Sequence, residues 1–177
     1  MTISYPSYWR GGRWDVERLL KDVFTFPANK SADGFEGVEV EPFLTKNSDR
    51  EAWLKLGNGW LLVHRRGGRY DRVAGVDKSI CEIAALTKSR DDSLELIAYA
   101  GDVLDGYGED GGTVQRSTQH RSGLSTTFMK VPGEVVGPQL IPELTRDDRY
   151  VSTTWEIHAD RPRGLPNYRE ALGLDEE

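Results

Sequence analysis

DVERLLKDVF places Val16, Leu19, Leu20, Val23 and Phe24 at the i, i+3, i+4, i+7 and i+8 positions, with Asp15 ahead of them and Pro27 behind. That spacing predicts a short amphipathic helix capped by Asp15. In GVEVEPF the valines alternate with Glu39 and Glu41, the pattern of a half-exposed strand that Pro42 ends or confines to a sheet edge. WLLVH, residues 60–64, shows no alternation but has the length of a buried strand. VDKSICEIAALT, residues 76–87, sets Ile80, Glu82, Ala84 and Leu86 on one face and Cys81, Ile83 and Ala85 on the other, so a second long strand is expected. Joined by RRGGRYDRVAG, the two read as an antiparallel hairpin with a protruding basic tip.

Ser89 precedes Asp91 and Asp92, where acids favour a helix N-terminus, and Leu94, Ile97, Ala98, Gly101 and Leu104 follow at helical spacing up to a C-terminal Gly106. YVSTTWEIHA alternates strictly, with Val151, Thr153, Trp155, Ile157 and Ala159 on the side that should pack against this helix. Residues 106–148 are rich in Gly, Ser, Thr and Pro, and TTFMKV alone looks like a strand, so a long irregular excursion is expected. Residues 1–14 form an aromatic arm (Tyr5, Tyr8, Trp9, Trp14) that either folds back on the body or is covered by a partner. Residues 160–177 form a C-terminal tail in which Pro166 suits the first turn of a short helix. Residues 1–177 thus read as a single α+β domain, a mainly antiparallel sheet with helices packed on one face.

Composition narrows the function more than the fold. A chain of 177 residues with 37% hydrophobic content suits one soluble domain, and no stretch reaches the roughly 18 apolar residues of a membrane span. The start, MTISYPSYWRGG, has no apolar core of the kind a signal peptide carries, which predicts a chain assembled in the cytoplasm. The net charge of −6 argues against a general nucleic-acid binder. Its distribution is uneven: residues 1–87 hold 13 Lys/Arg and 12 Asp/Glu, residues 88–177 hold 10 and 17. Cys81 is the single cysteine and lies in an apolar run, the setting of a packed, inert thiol.

Candidate chemistry is sparse. His64, Arg65, Arg66, Arg69 and Arg72 form a basic cluster whose guanidinium forks match phosphate oxygens, but its spacing fits neither GxxxxGK[ST] nor GxGxxG. Contact with an acidic protein surface is the preferred reading, and exposed cations of that kind should be reversible to Glu without unfolding the monomer. Glu156 and His158 share a strand face and suit either an acid/base pair or, more simply, a contact surface. Ser125, Thr126 and Thr127 offer hydroxyls without a nucleophile elbow. His64, His120 and His158 fall in separate segments without metal-ligand spacing. No cofactor, metal or catalytic set is expected.

The order of these elements, and the wording HRRGG, SRDDSLELIAYAGDVLDGYG and DRYVSTTWEIHADRPRGLP, resemble the tail terminator proteins of long-tailed phages (siphoviruses), particularly those of actinobacteria. The resemblance covers residues 58–107 and 136–168 and rests on pattern, with no catalytic motif in it. It implies a non-enzymatic virion protein at the head-proximal end of the tail, a homohexameric ring that stops tube polymerisation and offers a surface for head attachment. The partners it implies are further copies of the chain, the major tail tube protein, a head-completion or stopper protein and the tape measure protein, with DNA passing an acidic lumen without specific binding. Another neck component, a stopper or adaptor, is the runner-up, followed by a small hydrolase using Glu156 and His158.

Overall fold

A computed structural model describes residues 3–9, 11–43, 50–139, 149–162 and 167–174. Helix α1 (Val16–Thr25) forms as its spacing requires: the Asp15 side chain accepts from the Glu17 N–H at 3.1 Å, and all five predicted apolar residues are buried. A 3-10 turn (Lys30–Gly34) leads to β1 (Val38–Glu41), and α2 (Arg50–Lys55) precedes β2 (Gly59–Asp71). Then come β3 (Val76–Leu86), α3 (Arg90–Asp105), β4 (Gly112–Gln115), β5 (Thr126–Gln139), β6 (Val151–Asp160) and α4 (Tyr168–Ala171).

The strands form a six-stranded sheet in the order β1-β2-β3-β6-β5-β4. Only the edge strand β1 runs parallel to its neighbour β2; the other pairings are antiparallel. The α+β reading holds, but the helices are not all on one face, since α2 covers the side opposite α1 and α3, and the sheet explains why WLLVH lacks alternation. Leu61 and Val63 face the main core with α1 and α3, while Trp60 and Leu62 meet Leu54 of α2, Ala84 and Leu86 on the opposite face. A strand covered on both sides has no reason to alternate. The predicted inner face of β6 is confirmed, with Val151, Thr153, Trp155, Ile157 and Ala159 all buried.

Three expectations are corrected. First, the buried stripe of α3 is Ser93, Ile97, Ala100 and Leu104, whereas Leu94 and Ala98 are exposed. The rotation has a polar cause: Ser93 is drawn under the end of β3, where its hydroxyl accepts from the Thr87 N–H at 3.1 Å and lies 3.0 Å from the Thr87 hydroxyl. Gly106 closes the helix in a right-handed conformation, donating to Asp102. Second, the segment 106–148 is not wholly irregular, because β4 and β5 lie within it; residues 140–148 are outside the described residues. Pro132 and three register shifts against β6 hid β5 from a period-of-two reading. Third, the β2–β3 connection is only Arg72–Gly75, so residues 65–71 belong to the strand rather than to a tip. Pro166, expected to open a helix, lies outside the described residues; α4 starts at Tyr168, with Asn167 as its cap.

A polar lock joins the two halves of the sheet. Asp22 of α1, 4% exposed, accepts from Arg116 Nε at 2.6 Å and from the Ser117 hydroxyl at 2.5 Å. Asn29 donates to the carbonyls of Asp22 and Gln115 and accepts from the Gln115 N–H at 2.8 Å, which fixes the end of β4 to α1. The guanidinium of Arg116 also lies over the buried Trp14 ring, 4.6 Å from its centroid.

Candidate protein-contact site

The basic cluster is divided by a bulge. Arg65 pairs with Cys81 and Gly67 with Ile80, so Arg66 is the extra residue, and the two arginines turn to different faces of the sheet. Arg65 forms a two-pronged ion pair with Asp77, both contacts at 2.9 Å, and its N–H donates to Glu17 at 2.9 Å. Arg66 Nε donates to Glu82 at 2.6 Å. Both carboxylate side chains are nearly buried, at 5% and 9% exposure. His64 Nδ1 lies 3.3 Å from the same Glu17. Arg65 and Arg66 therefore neutralise the protein's own acids, and reversing either would strike the fold, contrary to the expectation of a free basic tip.

Gly68 makes the approach possible. Its φ is +116°, and a Cβ there would come within 2.2 Å of the Lys78 carbonyl. Beyond it, Asp71 takes the Val73 and Ala74 N–H groups at 3.1 and 3.0 Å and Lys78 Nζ at 3.1 Å, closing the turn. The Ala74 amide, then Lys78, hold the Asp71 carboxyl below its ordinary value. Arg69 and Arg72 are exposed and have no carboxylate partner among the described residues.

Glu156 and His158 do share the outward face of β6, with Glu156 Oε1 2.6 Å from His158 Nε2. Cross-strand neighbours of His158 are Lys78 and Lys130, and Glu156 lies opposite Ile80. Arg66, Glu82, Glu156 and His158 thus occupy one sheet face, whereas His64 and Arg65 turn to Glu17 and Asp77, and Arg69 and Arg72 lie at the hairpin end. Burial raises the Cys81 thiol to about 12, which leaves it the inert packing group its apolar setting indicates. Among the described residues no group of His, Cys, Asp and Glu is arranged to hold a metal, and no helix is long and apolar enough to cross a membrane.

The structure adds a basic region that sequence spacing does not reveal. The arm folds back: Trp14 is buried, Tyr5 and Trp9 stack at 4.3 Å, and Arg121 lies over both rings. Gly11, with φ +96°, passes so close to His120 that a Cβ would meet the ring at 2.7 Å. Arg13 stacks on Tyr70 of β2 at 3.8 Å, and the Tyr168 hydroxyl donates to the Gly11 carbonyl at 3.1 Å. A groove of ≈ 890 Å³ is left between the arm, the β2–β3 turn and α4, and among the described residues it is lined by Arg13, Arg72, Arg161 and Arg169 with no Asp or Glu. The clue in the sequence is weak, since these arginines come from four separate segments.

The family described as phage tail termination protein matches residues 12–166, a span that takes in β4 and β5 as well as all but the last two residues of the segments carrying the sequence resemblance. No curated protein matches the chain.

Proposed function

Because the chain belongs to the phage tail termination protein family, we propose that it is the terminator ring at the head-proximal end of a long, non-contractile phage tail, in the neck of the virion. Six copies close around the tube end, halt addition of the major tail tube protein, and present their far face to a head-completion or stopper protein. The tape measure protein ends beneath this ring, and DNA passes through it without being held. The observation that carries this reading is the family match over the whole six-stranded sheet, from Gly12 in the arm to beyond the end of β6.

The charge distribution supports it. Residues 88–177 contain 17 Asp/Glu against 10 Lys/Arg, and those carboxylates left facing the lumen repel phosphate rather than braking it. The role is stoichiometric and needs no turnover, cofactor or metal. Purified protein added to polymerising major tail protein should shorten the tubes and appear as extra density at one end only. Phage lacking the chain should accumulate over-long, headless tails. Tails of normal length already joined to heads in its absence would refute capping and assign the chain to a stopper or adaptor position instead.

A further inference from the structure

The arginine groove and the outer face of α3 are opposite in charge and lie on different parts of the molecule. Asp91, Glu95, Asp102 and Asp105 follow one another at i, i+4, i+11 and i+14, all exposed, on the side of α3 directly away from its buried stripe. Together with Ala98 they form a ridge about 21 Å long at the helical rise. None of the four carboxylates has a cation partner among the described residues; Asp92, on the flank, is the one that meets Lys88. The groove lies beside the β2–β3 turn, where β3 begins, whereas α3 starts just after β3 ends, so the first turns of the ridge are remote from it. Arg13, Arg72 and Arg161 carry no carboxylate partner among the described residues either.

We propose that the groove between the arm, the β2–β3 turn and α4 receives the acidic ridge of α3 from a second copy of this chain, in a head-to-tail contact. The groove is concave and aromatic-walled, with Tyr70 held by Arg13, and its cations are spread along it rather than focused on one point. That shape suits a convex row of carboxylates better than a single small anion. Leu94 and Tyr99, 37% and 38% exposed, flank the ridge and supply apolar contact beside it. Two different surfaces meeting in this way form a heterologous interface, the kind that closes into a ring when the rotation permits. The contact deepens the ring reading above and rests on it only for the number of copies.

Sedimentation velocity over a wide concentration range, at low and high salt, tests the contact. The wild type should self-associate at low salt and dissociate as salt screens the pairs. Arg72→Glu/Arg161→Glu and Glu95→Lys/Asp102→Lys should each weaken association about tenfold or more, with urea midpoints unchanged. The chain carrying all four substitutions should associate again, because the charges are exchanged between the two surfaces. Should either reversal lower stability, Arg72→Gln/Arg161→Gln reads the same loss. A wild type that stays monomeric at low salt, a groove variant that associates like the wild type, or a folded quadruple variant that does not associate would each overturn the proposal. So would binding of a DNA duplex through Arg72 and Arg161 by a monomeric protein. Neutralising Asp175, Glu176 and Glu177 to the amides should leave association intact, and its loss would move the occupant to those residues. Tubes left uncapped by a protein that self-associates through this contact would refute the terminator role and leave the contact standing.

Discussion

Asp22→Ala should destabilise the protein far more than removal of one side-chain contact, because it strands a charge. Arg116 and Asp22 are 4% and 6% exposed at their side chains, and burial already pulls the Arg116 guanidinium below its ordinary value while Asp22 opposes that shift. Arg116 Nη1 is buried without a partner among the described residues, so little else compensates the cation. Deleting the carboxylate removes the 2.6 Å ion pair and the Ser117 bond together and leaves a buried guanidinium unpaired, a loss of about 3–5 kcal/mol. Arg116→Met alone leaves Asp22 one short hydrogen bond, from Ser117, and should cost less, about 2–3 kcal/mol. The double variant Asp22→Ala/Arg116→Met buries no charge and should lie close to the milder single variant, so that the two changes are strongly non-additive. Urea unfolding followed by tryptophan fluorescence measures all three, since Trp14 lies against Arg116. A loss below about 1 kcal/mol for Asp22→Ala, or additive losses in the double variant, would refute the reasoning and show the pair to be solvated.

Trp155→Ala should cost about 3–5 kcal/mol in the same assay, because the ring is 4% exposed and packs against Gly101 of α3; a loss under about 1 kcal/mol would reverse the assigned faces of β6. Arg65→Ala should cost about 2 kcal/mol by leaving Asp77 buried without its ion pair, whereas Arg69→Ala and Arg72→Ala should stay within about 0.5 kcal/mol, and equal losses at the three sites would contradict the division of the cluster. The Asp71 carboxyl titrates below its ordinary 3.8 in the folded chain, so its contribution to the turn is full above that value and fades as pH falls through the folded one. Amide exchange at Val73 and Ala74 should therefore be faster in Asp71→Asn than in wild type at neutral pH and converge with it in acid; a constant difference would show that the turn does not depend on the charge.

Local periodicity was enough to determine α1, the span of α3, β3 and the inward face of β6, because each is specified by residues a few positions apart. Asp15 and Ser89 cap their helices as their positions indicate. The resemblance carried by HRRGG and DRYVSTTWEIHADRPRGLP likewise pointed to the family that the match over residues 12–166 establishes. What depends on residues distant in sequence was decided only by the fold. The two-sided burial of WLLVH needs α2 on one face and α1 on the other, and β5 is recognisable as a strand only once β6 supplies the partner for its shifted register. The same holds for charge. The sequence shows four arginines and a histidine at residues 64–72, but only the approach of Asp77 and Glu82 neutralises two of the arginines. The tertiary structure then gathers Arg13, Arg72, Arg161 and Arg169 into a groove, since an ion pair or a binding surface is a property of distances between atoms and a sequence orders only the bonds.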